Sequence, residues 1–281
     1  MRRTGFNILI TKQDLGWSIL FLLLISFSFG CQKSKTSPQP VILGHAGVAL
    51  SAERALYPAN SEASINYALN AFNADGVELD VQMTQDSVLV LYHDENITLQ
   101  NGENTCFYQL TWRDIEFFNT QLNHPILALK DVATDILERN KYLYLDLKFY
   151  DFCDSSNINL EVMAAELMET FEDVDSAQKS RLIFNSRNIY LIDLIPEELG
   201  IRSFETDKIQ LAIDYYEAGR MDLLSTHLFG FNETSKMNIQ NASLPFSLFS
   251  IKTRQEIEEA AGFVPDFVIT DNIPATRKFY N

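Results

Sequence analysis

The amino-acid sequence predicts an α/β fold, a single (β/α)8 TIM barrel. Three observations carry this expectation. From residue 41 to the end, short apolar runs alternate with stretches whose apolar residues fall three or four apart. Such alternation implies a parallel sheet with helices packed outside it. The length of this region is close to the ~250 residues typical of the barrel. No linker rich in Gly, Pro or Ser divides it, and no internal repeat is visible, so 41–281 reads as one domain.

The strands are expected at 41–45 (VILGH), 76–82 (GVELDVQ), 88–93 (VLVLYH), 142–148 (YLYLDLK), 181–186 (RLIFNS), 201–205 (IRSFE), 222–227 (DLLSTH), 246–251 (FSLFSI) and 266–271 (DFVITD). Near-continuous apolar runs of this kind suit strands covered on both faces. Helices are expected over 61–72, 111–118, 129–139, 159–171, 187–195, 207–218 and 253–261. Nine strands exceed the barrel's eight, and the excess has a local cause. The extended segments around the second and third, 76–84 and 87–93, are joined only by Gln85-Asp86, far too short for a parallel crossover. They are expected to form a hairpin with a two-residue turn, in which residue 84 faces 87 and Glu78 faces His93.

Residues 1–30 read as an address and not as fold. Arg2, Arg3 and Lys12 precede an uncharged run from Trp17 to Gly30. The run is shorter than the ~20 residues of a spanning helix and fits the apolar core of a secretory signal. Ser28 and Gly30 lie just before Cys31, which resembles the cleavage and lipidation site of a bacterial lipoprotein signal. The expectation is a signal peptide at 1–30, a lipid-modified Cys31, and a flexible tether over 31–40. That arrangement would place the protein in the bacterial cell envelope, anchored to the membrane and facing the periplasm or exterior. Cys106 and Cys153 remain, in a compartment that permits disulfides, with neither a bond nor free thiols implied.

Composition excludes several classes. With 22 Lys and Arg against 38 Asp and Glu, the net charge is -16, and there is no basic surplus for binding nucleic acid by counterion release. A hydrophobic fraction of 46% argues against disorder, and three Cys exclude a disulfide scaffold.

The chemistry-bearing residues stand at strand ends. Glu78 and Asp80 are two apart on one strand and point to one side, while Val77, Leu79 and Val81 point into the helix layer. Asp146 and Lys148 repeat that grammar on the next strand. Carboxylates at the ends of separate barrel strands converge on one mouth. Carboxylates packed together need a cation unless one is protonated. Three oxygen ligands without His or Cys suit one hard divalent ion, Mg²⁺ or Ca²⁺. Lys148 adds positive charge for an anionic substrate, or a salt bridge within the cluster. His45 ends the first strand and His93 the hairpin return, places suited to general acid and base work. His124 and His227 carry no local mark of a role.

These segments resemble a known family. Gly44-His-Ala-Gly47, Pro58-Ala-Asn-Ser61, Asp75-Gly-Val-Glu-Leu-Asp-Val-Gln82, Leu89-Val-Leu-Tyr-His-Asp94, Leu145-Asp-Leu-Lys148 and Val268-Ile-Thr-Asp-Asn272 are similar to the glycerophosphodiester phosphodiesterases, in that family's order. The resemblance implies a TIM barrel that hydrolyses glycerophosphodiesters to glycerol 3-phosphate and an alcohol with a divalent metal. It implies Glu78, Asp80 and Asp146 as metal ligands, His45 and His93 as the acid–base pair, and Lys148 as a phosphate contact. Two departures stand out. The family usually reads His-Arg-Gly and Pro-Glu-Asn, where this chain has Ala46 and Ala59. An Arg and a Glu are lost together, which reads as the coordinated removal of an ion pair. A phosphodiesterase acting on intact phospholipid, or a non-catalytic binding lipoprotein, would use the same scaffold.

Overall fold

The computed structural model describes residues 39–48, 57–98, 102, 104–149 and 158–281. The expected signal peptide, Cys31 and most of the tether lie outside these residues, as does Cys153. Cys106 is disulfide-bonded.

In chain order the strands are β1 (Val41–Gly44), β2 (Gly76–Met83), β3 (Leu89–Leu91), β4 (Asn96–Thr98), β5 (Asn104–Cys106), β6 (Tyr142–Leu147), β7 (Leu182–Ser186), β8 (Ile201–Glu205), β9 (Leu223–His227), β10 (Phe246–Ile251) and β11 (Phe267–Thr270). Eight of them run parallel in the order β1-β2-β6-β7-β8-β9-β10-β11, and β11 pairs back onto β1 to close the barrel. The ninth expected strand is β3, antiparallel to β2. The β4–β5 hairpin is separate from the barrel.

The helices are α1 (Glu62–Asn66), α2 (Trp112–Asn119), α3 (Lys130–Glu138), α4 (Leu160–Thr170), α5 (Ser176–Lys179), α6 (Ile189–Asp193), α7 (Ile209–Glu217), α8 (Glu233–Ala242), α9 (Arg254–Phe263) and α10 (Ile273–Tyr280). Most start at a side-chain cap that accepts a hydrogen bond from the first turn, among them Ser61, Thr111, Asn188, Asn232, Thr253 and Asn272. α1 does not continue as expected to residue 72. It gives way to a π-helical turn over Tyr67–Ala71.

The hairpin departs from the expected register by one residue. Val81 faces Leu91, Gln82 faces Val90, and Met83 faces Leu89. The cause is the turn. Ser87 adopts a left-handed φ of 67°, and Thr84 accepts from Ser87 N and donates to Val88 O, giving a three-residue loop. The Thr84 hydroxyl supports it, donating to Asp86 and accepting from Val88 N. Glu78 therefore does not face His93. The ladder ends at Leu91, and Tyr92 N bonds to Asp80 O.

Alternation along the strands divides the core into two layers. Val77, Leu79, Val81, Leu143, Leu145 and Leu147 point outward and pack with Ile65, Leu69, Ile136 and Met163 of the helices. Inside the barrel a smaller cluster of Leu43, Tyr144, Ile183, Leu223, Phe267 and Ile269 plugs the lumen. Inward positions nearer the C-terminal ends are polar, and the site lies there.

Candidate active site

The turn after β1 sets the first part of the site. Ala46 and Gly47 take successive positive φ angles, 48° and 90°. A Cβ on Gly47 would stand 2.3 Å from Ser64 Oγ, so only Gly fits. This turn aims the Ala46 N–H at Glu78 Oε2, 2.9 Å away. It also places His45 over the mouth, its Nδ1 2.5 Å from Asp271 Oδ1 and its Nε2 3.9 Å from Glu78 Oε2. The Ala46 carbonyl accepts from Asn60 N and Ser64 Oγ. That brings the segment of Ala59 against Ala46, so the two departures from the family pattern are neighbours in space.

Three carboxylates converge as expected. One oxygen each from Glu78, Asp80 and Asp146 lies within 4.8 Å of the others. Register explains the meeting, since Asp80 is directly opposite Asp146 across the β2–β6 ladder. Glu78 and Asp80 are buried. Asp80 is gripped by Asn60, whose Nδ2 donates to its Oδ2 at 2.8 Å and whose Oδ1 accepts from its N–H. Lys148 stands among the acids, its Nζ 2.8 Å from Asp80 Oδ1 and 2.5 Å from Asp146 Oδ2. Of the two readings of Lys148, the salt bridge within the cluster is thus realised in this arrangement.

The electrostatics follow from the crowding. Burial, then the Asp80 charge, pushes the Glu78 carboxyl up to about 8, against relief from His45 and Lys148. Burial acts on Asp80 too, but Lys148, His93 and the Asn60 hydrogen bond outweigh it and hold Asp80 below the usual carboxylate range. Burial opposes the His45 imidazolium. The Asp271 hydrogen bond, with the charges of Glu78, Asp271 and Asp80, reverses this and raises His45 to about 8. Lys148 is held above its ordinary value, since Asp146, Asp80 and Glu78 outweigh its burial.

His93 sits beyond the end of β3, half-exposed, with Nδ1 2.8 Å from Asp94 Oδ1. Gln82 fixes this segment by donating to the carbonyls of Tyr92 and Asp94. His227 turns its Nδ1 to the Phe229 N–H and packs against Phe249. His124 packs edge-on to Tyr57.

Sequence reasoning assigned no role to Asp271, Asn60, Asn185, Glu205 or Arg187. Asn185 on β7 donates through Nδ2 to Asp146 Oδ1 at 3.0 Å and to Glu205 Oε2 at 3.3 Å. Arg187 reaches Glu205 Oε1 with Nε at 2.6 Å and Nη2 at 2.5 Å. Burial and Asp146 raise the Glu205 carboxyl, with Arg187 pulling it back.

Comparison with known proteins agrees with this architecture. Residues 52–256 match the model of the glycerophosphoryl diester phosphodiesterase family. An uncharacterized protein of Mycoplasma genitalium is 30% identical over 225 residues, covering 73% of this chain and 89% of that protein. Mouse glycerophosphodiester phosphodiesterase 1 is 29% identical over 162 residues, 52% of this chain and 46% of the mouse protein. This chain thus spans about half the length of the mammalian relatives it matches. Among solved structures, a putative glycerophosphodiester phosphodiesterase of Galdieria sulphuraria superposes with a TM-score of 0.72 at 15% identity, covering 88% of this chain and 99% of that one. An Oleispira antarctica phosphodiesterase, solved with the product sn-glycerol-3-phosphate, gives 0.68 at 18% identity, with 85% and 96% covered.

Proposed function

The chain belongs to the glycerophosphoryl diester phosphodiesterase family, and from that premise we propose that its barrel mouth hydrolyses a glycerophosphodiester to glycerol 3-phosphate and an alcohol. The observation that carries the reading is the juxtaposition of the Glu78–Asp80–Asp146 triad with His45, itself oriented by Asp271.

The triad fits a divalent cation. Its donors are all carboxylate oxygens, the choice of a hard ion, Mg²⁺ or Ca²⁺. Burial and the Asp80 charge disfavour the Glu78 carboxylate, a cost that a bound cation would relieve. Glu78, Asp80 and Asp146 would hold the ion, which when bound supplies positive charge against a non-bridging phosphate oxygen.

The chain's own residues supply the proton chemistry. Asp271 occupies Nδ1 of His45, which fixes the ring and turns Nε2 toward Glu78 and the mouth. His93 lies on the Asp80 side, carried by the segment that Gln82 pins. In this reading one imidazole takes a proton from the nucleophile, a water or a neighbouring hydroxyl of the substrate. The other gives a proton to the departing alkoxide. Lys148 balances Asp80 and Asp146 and adds positive charge on the phosphate side. The test is turnover of glycerophosphocholine with and without chelator, in the native protein and in His45→Ala. Turnover lost in both confirms the reading, and turnover indifferent to either refutes it.

The sequence also supports attachment of the protein to the cell envelope through a lipid on Cys31. Fatty-acid labelling and membrane fractionation of the full chain should both be lost in Cys31→Ser; unchanged labelling contradicts the anchor.

A further inference from the structure

We infer that Arg187, positioned by Glu205, is a phosphate-binding residue of this site. The inference rests on the phosphodiesterase reading above and adds a cationic contact to it.

The need for one comes from the charge already committed. Lys148 donates a hydrogen bond to Asp146 and forms an ion pair with Asp80, so its charge is already shared between two carboxylates. Position 46, one residue past His45, is a fully buried Ala and offers only a methyl group. A phosphodiester has two non-bridging oxygens. If one meets the carboxylate-held charge, the other needs a donor on a different side.

Arg187 is built for that place. It follows β7 directly and so stands at the C-terminal end of the barrel. Nε and Nη2 both engage the single oxygen Oε1 of Glu205. Glu205 is tied to the triad, because the Asn185 amide nitrogen bonds both Glu205 Oε2 and Asp146 Oδ1. One continuous chain, Asp146–Asn185–Glu205–Arg187, therefore holds the guanidinium beside the cluster. Yet the Arg187 side chain is 80% exposed, against 11% for Glu205. The carboxylate takes one edge of the fork and leaves the rest of the planar guanidinium open to a ligand. A guanidinium matches two phosphate oxygens in a way an ammonium does not. An ion pair of purely structural purpose would leave ligand binding untouched, and this separates the two roles.

The test uses the full chain and three variants, Arg187→Met, Arg187→Lys and Glu205→Gln. Glycerophosphocholine serves for KM and kcat, and calorimetry gives the Kd of sn-glycerol 3-phosphate. Arg187→Met should raise both KM and Kd by about ten- to hundred-fold, the worth of a hydrogen bond to a charged group. kcat should change far less. Arg187→Lys should recover part of the loss, and Glu205→Gln should weaken both constants less than Arg187→Met. KM and Kd within two-fold of the native values in Arg187→Met would overturn the inference. If the native protein turns over no glycerophosphodiester, the phosphodiesterase reading fails by itself. Calorimetry then decides for Arg187: weaker binding in Arg187→Met supports the site, and equal or absent binding overturns it.

Discussion

The Asp271→Asn substitution probes the pair that orients His45. The two side chains meet at 2.5 Å, and the His45 side chain is only 22% exposed. Burial alone would favour the neutral imidazole. The Asp271 hydrogen bond and the nearby carboxylates hold the pKa at about 8, against an ordinary value of 6.5. That difference corresponds to about 2 kcal/mol in favour of the charged form. Asn keeps the shape and one acceptor oxygen but removes the charge. Burial is then opposed without the Asp271 charge, so the His45 pKa should fall from about 8. A pKa raised by folding stabilises the native state fully below the unfolded value, and that contribution is lost as pH rises through the folded value. The variant should therefore be less stable than the native protein below pH 6.5, by up to ~2 kcal/mol. The gap should close as pH passes 8. The assay is an NMR titration of the His45 ring in chelator, beside melting curves across that window. A His45 pKa still near 8 in Asp271→Asn, or a stability gap that does not vary with pH, would refute the reasoning.

Other outcomes follow from the same site. Glu78 also titrates high when folded, at about 8 against 4.5, so the metal-free protein should lose stability as pH rises from 4.5 through 8. This group adds a slope of at most about 1.4 kcal/mol per pH unit. Mg²⁺ or Ca²⁺ should restore the loss, so the difference in melting temperature between ion and chelator should widen with pH; a constant difference contradicts the cation site. Ala46→Arg alone should destabilise by about 3–5 kcal/mol through an unpaired buried charge, and Ala46→Arg with Ala59→Glu should recover much of it. Additive melting shifts across that cycle would remove the pairing idea.

Much of the fold was legible because buried strands read as apolar runs. The short Gln85-Asp86 separation correctly demoted the ninth strand to a hairpin partner. Its register was out of reach, since nothing in the pattern shows that Ser87 turns left-handed and lengthens the loop. α8 went unpredicted because Ile239 is its one buried residue, too little for an apolar stripe. α10 buries only Ile273 and Thr276, and fails for the same reason. In the site, Glu78 with Asp80 and Asp146 with Lys148 announced themselves through spacing of two on a strand. Asp271 and Glu205 obey the same rule, a carboxylate at the end of a barrel strand, and applying it to every strand would have found both. Asn60 and Asn185 gave no such signal. Each matters through a partner 20 or 39 residues away, which neither the Pro58–Ser61 motif around Asn60 nor the apolar run around Asn185 reveals.

The central claim is that the carboxylate triad and His45 together perform phosphodiester hydrolysis. The most direct measurement follows glycerophosphocholine by phosphorus NMR with the native protein, with Glu78→Gln, and with chelator added. The account predicts stoichiometric glycerol 3-phosphate from the native protein and none from the other two. Native protein that releases no glycerol 3-phosphate, or release that persists in Glu78→Gln under chelation, would contradict it.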